Sequence, residues 1–324
     1  MYTHYLDTWQ GIGPDEKRFI DEWMNCRNYI TAHTSGSTGA PKEIRLLKSD
    51  MRMSARSTNV RFGITASSRL FCPLSTSYIA GKMMIVRAIE AKCTLIAEKP
   101  SNNVMVSDYG DIDLMAVVPS QCDKLIDNPT ACTRLKNLII GGAPLSPETE
   151  RRLAEKPWNS FATYGMTETC SHVALRRCGD NEYEAMPGIE FDTDGRGCLV
   201  INAPEFSFRH LVTNDIVSLI DCHTFRWLGR YDNVINSGGI KIHPEEIEKQ
   251  LVGILPEPFY IHSVADNKWG QTVGVTLLRC DMDEAEIISL CRNVLPSHAV
   301  PRRVRFVNAM RYTSSGKIIR ENIK

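Results

Sequence analysis

Several common features are missing from this sequence of 324 residues, and each absence excludes a class of site. The 11 cysteines include no Cys-x-x-Cys pair and the 8 histidines show no ligand spacing, so neither a zinc site nor a disulfide framework is predicted. Lysine plus arginine and aspartate plus glutamate both number 38, which leaves no net charge to attract nucleic acid or an anionic membrane. Any site for a phosphate group must therefore be local.

Long apolar segments are missing as well. No run of 18 apolar residues occurs, and no basic stretch followed by an apolar one stands at the N-terminus. These absences predict a cytoplasmic protein without membrane insertion, whose cysteines stay reduced. The length is more than one hydrophobic core usually holds, so two domains are expected.

A dense run of small residues begins the chemically informative part of the chain. Thr34 to Gly39 offers hydroxyls and backbone N–H groups without bulky side chains, and Lys42 adds a positive charge. Such a segment can cradle phosphate groups, although a flexible Ser/Gly turn is the alternative interpretation. Pro41 before the lysine and Glu43 after it exclude a Walker loop, in which Gly-Lys-Ser/Thr opens a helix. The predicted phosphate-binding residues are Thr34, Ser35, Gly36, Ser37, Thr38, Gly39 and Lys42.

Strand patterns then alternate with helix patterns as far as residue 146. Helices are predicted at 15–24, 49–61 and 79–89, and strands at 43–46, 70–74, 93–97, 115–119 and 138–144. This rhythm predicts an α/β fold with a mainly parallel sheet, in which ligands gather at the carboxyl ends of strands. Gly141 and Gly142 end the last of these strands. They could let a flat ring lie against the backbone, or simply form a tight turn.

The segment from Tyr164 to Thr169 contains the sharpest chemical motif. An aromatic ring, a glycine and a hydroxyl beside the carboxylate of Glu168 could serve a nucleotide base, a phosphate oxygen and a magnesium ion. Taken alone, Thr167 and Glu168 could equally form a helix N-cap. Together with the phosphate loop, they favour a nucleotide site.

A small antiparallel part and a joint follow. Short strands are predicted between 187 and 221, and Asp215, placed just after one of them, could accept two hydrogen bonds from a ribose diol or be an ordinary turn aspartate. From 229 to 248 come Arg230 and Asp232 around an aromatic residue, a Ser-Gly-Gly turn and a helix opened by Pro244. Beyond it, helices are predicted at 244–255 and 283–294 and strands near 260, at 273–278 and at 304–307. Lys317 follows a Ser-Ser-Gly turn near the end of the chain.

These motifs, in this order, resemble the adenylate-forming superfamily of acyl-CoA synthetases and their relatives. The resemblance implies an ATP and acyl-substrate domain over 1–229 and a small mobile α+β domain over 230–324, joined by a hinge at Asp232. It implies ATP, Mg²⁺ and coenzyme A as the reaction's small molecules, and a small carboxylic acid as the partner to be activated. By this resemblance, Lys317, Thr167 and Glu168 are the catalytic residues, and Glu168 also holds the metal. Gly239 is the residue that matches the family's coenzyme A site. The residues that match its ATP or AMP site are Thr34 to Gly39, Lys42, Gly142, Ala143, Pro144, Tyr164, Gly165, Met166, Asp215 and Arg230.

Within this superfamily, the segments 141–144 and 164–171 are most similar to the o-succinylbenzoate:CoA ligases of menaquinone biosynthesis. The resemblance therefore implies a ligase that converts o-succinylbenzoate to its CoA thioester through an acyl-adenylate. The predicted acyl pocket contains Ser75, Ser77, Tyr78 and Lys82, whose polar groups would suit a compact acid with a second carboxylate. The alternative is that the hydroxyl run merely caps the helix that begins near Ile79.

Three alternatives and one departure stay open at the level of sequence. The same motifs would serve an aryl-CoA ligase, an enzyme that loads a carrier protein, or an AMP-binding homologue without catalysis.

Only 33 residues precede Thr34, where typical members of the superfamily carry a longer N-terminal part. We therefore expect one wall of the acyl pocket to be altered and an exposed sheet edge, which a second subunit in a homodimer would cover.

Overall fold

The computed structural model describes residues 6–33, 43–104, 110–128, 134–312 and 318–321. The predicted phosphate loop at 34–42 and Lys317 lie outside the described residues. The chain divides into two compact units, the first comprising Met1–Phe191, Ile201–Leu211 and Asp221–Thr224, and the second Asp192–Val200, Val212–Ile220 and Phe225–Lys324. The domain boundary between 229 and 230 stays a prediction.

The described residues form seven α-helices and eighteen strands. The helices are α1 Pro14–Met24, α2 Lys48–Phe62, α3 Ile79–Ala91, α4 Pro119–Ile126, α5 Pro147–Ala154, α6 Pro244–Leu251 and α7 Glu284–Arg292. The strands are β1 Tyr29–His33, β2 Glu43–Leu47, β3 Arg69–Cys72, β4 Thr94–Ala97, β5 Leu114–Val117, β6 Asn137–Ile140, β7 Asn159–Gly165, β8 His172–Arg177, β9 Tyr183–Ala185, β10 Glu190–Thr193, β11 Cys198–Ala203, β12 Arg209–Asp221, β13 Thr224–Arg230, β14 Ile235–Ser237, β15 Ile240–Ile242, β16 Phe259–Asp266, β17 Gly270–Leu278 and β18 Arg303–Val307.

The main sheet of the first unit confirms the predicted strand and helix rhythm. Its strands lie in the order β4, β3, β5, β6, β7, β8, β9, with parallel pairing from β4 to β7 and antiparallel pairing beyond. The parallel strands are buried, apolar and short, as expected where helices cover a sheet. A core of such residues, including Met115 and Leu138, packs with Leu125 of α4 and Leu153 of α5.

Several element ends differ from the sequence prediction for local physical reasons. Strand β5 stops at Val117 because Pro119 occupies the first turn of α4, where a missing N–H costs nothing. Strand β6 stops at Ile140, and Gly142 then takes a φ of 89° in the turn before α5. Helix α6 ends at Leu251 rather than 255, close to Gly253, whose φ of 74° is left-handed.

The N-terminal segment covers part of the edge strand β4. The N–H of Gln10 donates to the carbonyl of Leu95 at 2.9 Å, and the N–H of Ala97 donates to the carbonyl of Gln10 at 2.9 Å. The indole of Trp9 also donates to the carbonyl of Cys93 at 3.0 Å. The sequence predicts an exposed sheet edge without saying which strand forms it; at the edge strand β4, the chain's own N-terminal segment pairs with Leu95 to Ala97.

The second unit contains a five-stranded sheet with its own core. Strands β15, β14, β17 and β16 follow one another in antiparallel pairs, and β18 adds to β17 in parallel. Apolar residues of the sheet, such as Ile261 and Val275, pack with Leu251 of α6 and Ile287 of α7. The described residues contain no helix whose length and apolar character would allow it to span a membrane.

The contact between the N-terminal segment and β4 predicts unequal costs for two glycine substitutions. Gly11 has a φ of 69°, and a Cβ there would overlap the carbonyl oxygen of Ala97. Gly188 has a φ of 80° but faces open space. We expect Gly188→Ala to lower the free energy of unfolding by about 1 kcal/mol, from backbone strain alone. Gly11→Ala should lower it by about 3 kcal/mol, because the overlap adds to the strain.

Urea unfolding of the two variants, followed by fluorescence, measures this difference. Equal midpoints for the two variants would contradict the pairing of the N-terminal segment with β4.

Candidate active site

The loop after β7 is held in one shape by several short-range contacts. Strand β7 ends at Gly165, and Thr167–Thr169 form a single 3₁₀ turn. The Oγ1 of Thr169 accepts from the N–H of Met166 at 3.0 Å and donates to the carbonyl of Ser171 at 2.7 Å. A Cβ at Gly165 would overlap the backbone of Ser171 and His172, so only glycine allows this approach. The motif is therefore a closed loop rather than the N-terminus of an α-helix.

The two chemical groups of this loop differ in exposure. Thr167 is half-buried, and the carboxylate of Glu168 is exposed. Among the described residues, no group of three or more Asp, Glu, His or Cys side chains forms a metal site. Mg²⁺ commonly takes one or two protein carboxylates and completes its shell with water and phosphate oxygens, so a single exposed carboxylate fits this ion.

The glycine turn after β6 lies beside the loop after β7. These strands are parallel neighbours, with Ile140 opposite Ala162, so their carboxyl ends meet at one edge of the sheet. Gly142 is exposed there, Ala143 is half-buried and Pro144 is exposed. The ring of Tyr164 is half-buried and packs edge-on against Tyr183, with ring centres 5.8 Å apart. The fold thus brings together two motifs that are about 20 residues apart in the sequence.

The structure corrects the predicted setting of Asp215. It lies in the middle of β12 rather than after a strand, and it is 7% exposed. The indole of Trp227 donates to its Oδ1 at 3.2 Å, and Arg230 Nη1 lies 3.8 Å from the same oxygen. Asp215 therefore has a structural task inside the second unit in addition to any ligand.

At the predicted hinge, Asp232 is exposed and Arg230 is half-buried. Arg230 Nη2 donates to Asp232 Oδ2 at 3.3 Å, in a 3₁₀ turn over Tyr231–Asn233. Gly239, exposed between β14 and β15, has a φ of 88°, and no described atom lies within 4 Å of the position of an added Cβ. A left-handed glycine with open space beside it leaves room for a ligand to approach the backbone.

The predicted acyl segment precedes α3. Ser77 and Tyr78 are exposed, Ser75 is half-buried, and the Oγ of Ser75 accepts from the N–H of Ser77 at 3.1 Å. Tyr78 is the N-cap residue of α3 and no side chain caps that helix, so helix capping does not explain the hydroxyl run. Lys82 is 9% exposed, with its Nζ 3.7 Å from Glu22 Oε2 and 4.6 Å from the ring centre of Phe19. Burial lowers the pKa of Lys82, and Glu22 opposes this shift.

Residues on either side of Lys317 are described although the lysine is not. Tyr312 and Ile318 form an antiparallel bridge, and the N–H of Ile319 donates to the carbonyl of Arg311 at 2.8 Å. Arg320 then binds both carboxylate oxygens of Glu248 on α6. The chain is therefore fixed to the second unit directly after the predicted adenylating lysine.

One polar cluster was missed by the sequence analysis. Arg87 on α3 donates from Nη2 to Ser171 Oγ at 2.6 Å, and the ring of His172 lies 3.2 Å from Thr58 Oγ1 and 3.4 Å from Ser171 Oγ. Burial, together with the nearby charge of Arg87, holds the pKa of His172 well below its ordinary value. The one signal in the sequence was a single charge in the apolar run 83–89.

The sequence matches known families over most of these elements. Residues 27–193 match the family described as AMP-binding enzyme, and residues 259–317 match its AMP-binding enzyme C-terminal domain. The chain belongs to the AMP-binding enzyme family. The first match includes the phosphate loop at 34–42, and the second extends to Lys317.

Individual relatives of the family agree. An acyl-CoA synthetase (AMP-forming)/AMP-acid ligase II-like protein from Dyadobacter fermentans is 30% identical, with 98% of this chain and 95% of that protein covered and a TM-score of 0.65. The 2-succinylbenzoate–CoA ligase of Listeria monocytogenes is 23% identical over 95% of this chain and 72% of that protein. The o-succinylbenzoate CoA synthetase of Bacillus subtilis, solved with its acyl-adenylate intermediate, shares the fold with a TM-score of 0.77 at 21% identity, over 90% and 67% of the two chains.

These comparisons confirm the predicted class, an adenylate-forming ligase of the acyl-CoA synthetase type, and the predicted α/β fold with a smaller C-terminal part.

The buried position of Asp215 predicts that its removal affects stability as well as nucleotide use. Asp215→Ala should lower the free energy of unfolding by about 1 to 3 kcal/mol, because Trp227 loses a buried acceptor. Asp215→Asn retains an acceptor oxygen and should keep most of that stability while still weakening ATP use. Thr167→Val should leave the unfolding midpoint unchanged and raise KM for ATP.

Thermal unfolding without ligands and ATP–pyrophosphate exchange separate these effects. An Asp215→Ala variant as stable as the wild type would show that the Trp227 contact contributes little.

Proposed function

We propose that the protein is an ATP-dependent carboxylate:CoA ligase that acts through an acyl-adenylate, with o-succinylbenzoate as its acid. The observation that carries this proposal is the closed loop at 165–171, which presents Thr167 and Glu168 beside the glycine turn of the neighbouring strand. Support for the acid comes from the curated relatives, several of which are 2-succinylbenzoate–CoA ligases at 23% to 26% identity.

The reaction requires activation because a free carboxylate is a poor acyl donor. Its carbonyl carbon is shielded by negative charge, and its leaving group would be oxide. Attack of a carboxylate oxygen on the α-phosphorus of ATP releases pyrophosphate and makes the acyl-adenylate. The thiol of coenzyme A then attacks the acyl carbon, loses its proton and releases AMP. Both half-reactions conserve the acyl carbon's oxidation state, so no redox partner is needed.

The motif loop supplies the groups closest to the α-phosphate in this proposal. The hydroxyl of Thr167 donates to an α-phosphate oxygen, and Glu168 holds Mg²⁺, which neutralises charge on the phosphates. A B. subtilis relative has been solved with ATP and magnesium ion. The adenine base lies against Tyr164 and the backbone from Gly142 to Pro144, while Gly165 and Met166 contribute backbone to the nucleotide.

The remaining groups bind the phosphate chain, the ribose and the thiol. The segment from Thr34 to Lys42 binds the departing pyrophosphate, and Asp215 with Arg230 receives the ribose. Lys317 neutralises the repulsion between the incoming carboxylate and the α-phosphate, and Gly239 borders the path of the CoA thiol. Because Lys317 and Gly239 serve different half-reactions, we propose that the C-terminal domain turns about Asp232 between them.

This division of labour predicts opposite losses in two variants. Lys317→Ala should lose about 10² to 10³ in adenylation, the scale for removing one charge-stabilising group, and should still form thioester from supplied acyl-adenylate. Gly239→Leu should keep adenylation and lose thioester formation, because a side chain there obstructs the thiol. Pyrophosphate exchange and thioester formation from supplied acyl-adenylate measure the two half-reactions separately.

Gly188→Ala is the control for a general loss of stability or folding. Gly188 also has a left-handed φ, and it is far from Lys317 and Gly239 in the sequence. Equal loss of both half-reactions in both variants would contradict the proposal that the protein uses two conformations.

The choice of acid predicts a strong preference. With ATP and coenzyme A, kcat/KM for o-succinylbenzoate should exceed that for benzoate or a medium-chain fatty acid at least a hundredfold, a difference of about 2.7 kcal/mol. AMP and thioester are measured together, with coenzyme A or a pantetheinylated carrier protein as the thiol. Equal use of a monocarboxylate would contradict o-succinylbenzoate as the substrate and would leave the ligase class unchanged. Thioester formation with the carrier protein alone would show that the carrier protein, and not coenzyme A, is the thiol acceptor.

A further inference from the structure

A cavity of about 400 Å³ opens in the first unit at the end of the main sheet that is remote from the motif loop. It lies at the first residues of β6 and β7, where Asn137 stands opposite Asn159. Because β7 runs from Asn159 to Gly165, roughly 20 Å of strand separates this distal cavity from the candidate active site. Its volume falls in the range of small-molecule sites. The residues that line it have no part in the proposed reaction.

The floor of the distal cavity is apolar and partly aromatic. Phe161 on β7 is half-buried and packs edge-on against Phe62, the last residue of α2, with ring centres 5.5 Å apart. Leu175, on the neighbouring strand β8, is buried and lines the cavity as well. A flat ring can pack on such a floor, and its burial removes a large apolar area from water.

One cation of the distal cavity is Arg177. It stands opposite Phe161 at the end of β8 and is exposed. Its guanidinium reaches towards β7, where Nη1 lies 3.4 Å from Asn159 Oδ1, a long hydrogen bond. It forms no ion pair with a described carboxylate. Most of its N–H donors are therefore left for water or a ligand.

Lys136 supplies a second positive charge beside the same strand. It is exposed and directly precedes β6, and its carbonyl accepts from the N–H of Asn159 at 2.9 Å. Within the described part of the chain, its Nζ has neither a hydrogen bond nor an ion pair. Since β6 and β8 flank β7, Lys136 and Arg177 approach Asn159 from opposite sides. Two positive charges without a counter-charge thus lie around the start of β7.

The side-chain amide between these two cations is fixed. Asn159 Nδ2 donates to Asn137 Oδ1 at 3.1 Å. Asn137 is 6% exposed, and its Nδ2 donates in turn to the carbonyl of Asp113 at 2.9 Å. An amide nitrogen carries two N–H groups, so Asn159 keeps one to donate to a ligand. The two cations and this N–H are all donors, and together they fit a carboxylate, which arginine binds through two parallel hydrogen bonds.

Acidic residues occupy the opposite wall of the distal cavity. They are Asp180, Glu182 and Glu184, in the hairpin between β8 and β9 and on β9 itself. Strand β9 is two strands from β7, which is about 10 Å, and Arg61 already pairs with Glu184 at 3.4 Å. These carboxylates would repel a second negative charge on the ligand. The cavity therefore suits a ligand with one anionic end and disfavours a polyphosphate such as ATP.

We propose that the distal cavity is a binding site for a small aromatic monocarboxylate. Lys136 and Arg177 bind its carboxylate, the remaining N–H of Asn159 adds a hydrogen bond, and its ring packs on Phe161 and Leu175. This site is independent of the proposed ligase reaction, because no residue of that reaction lines the cavity. An aryl phosphate also combines a ring with an anion, so the test includes one.

The probe is 2-naphthoate, a fused aromatic ring with one carboxylate, titrated into the protein by calorimetry. Arg177→Met and Lys136→Met should each raise its Kd at least about fivefold, because each removes one charge from the carboxylate. Naphthalene-2-methanol has the same ring and no charge, and it should bind the wild type at least about tenfold more weakly than 2-naphthoate. No turnover is needed for these measurements.

Two controls separate binding from a loss of folding. Arg18→Met makes the same substitution at an exposed arginine of α1 and should leave the Kd within about twofold of the wild type. All three variants should unfold at the wild-type midpoint, since the substituted side chains are exposed. ATP with Mg²⁺ should not displace the probe, because the distal cavity lies at the other end of β7 from the motif loop.

Other results overturn the inference. An unchanged Kd in Arg177→Met and Lys136→Met, or displacement of the probe by ATP, would place the probe elsewhere in the protein. Equal binding of naphthalene-2-methanol would make the cavity an apolar site. If 2-naphthyl phosphate bound at least about tenfold more tightly than 2-naphthoate, the cations would belong to a phosphate site. The ligase reaction is measured separately, through AMP and thioester, so its success or failure is distinguishable from each of these results.

Discussion

The closed loop at 165–171 depends on one close approach between two strands. Gly165 lies against the backbone of Ser171 and His172, where any side chain would overlap. This approach lets the hydroxyl of Thr169 close the turn and lets β8 begin at once beside β7. The exposed carboxylate of Glu168 and the half-buried hydroxyl of Thr167 keep their places because the backbone between these strands has little freedom.

Burial of polar groups organises the rest of the first unit. The carboxylate of Asp50 on α2 accepts hydrogen bonds from the backbone N–H and the hydroxyl of Ser207. Lys82 on α3 pairs with Glu22 on α1. These buried groups are satisfied, as buried polar groups usually are. Arg87 differs from them, because its buried Nε has no hydrogen-bond partner among the described residues, while its Nη2 donates to Ser171 beside the loop after β7.

The second unit combines anchored and open segments. Arg320 binds Glu248 through both carboxylate oxygens shortly after Lys317, whereas the turn at Gly238 and Gly239 is exposed and left-handed. The Arg320–Glu248 ion pair fixes the chain next to Lys317, the residue proposed to act in adenylation. The open turn at Gly239 suits the proposed approach of the CoA thiol in the second half-reaction. Asp215 combines a structural role with a proposed binding role, since its carboxylate accepts a hydrogen bond from Trp227 and is also the proposed ribose ligand.

The sequence by itself determined the strand and helix order, the motifs and the enzyme class. Each depends on residues close together in the chain, such as the helical spacing of Phe19, Ile20 and Trp23 in α1 or the chemistry of Tyr164 to Glu168. Element ends were less accurate where a proline or a left-handed glycine, such as Gly253, decided them locally.

Only the tertiary structure could decide which buried charges are paired. Lys82 and Arg87 look alike in the sequence, but their partners, Glu22 and Ser171, are 60 and 84 residues away in opposite directions. Pairing across such distances depends on how the helices pack on the sheet, and no local pattern of residues records it.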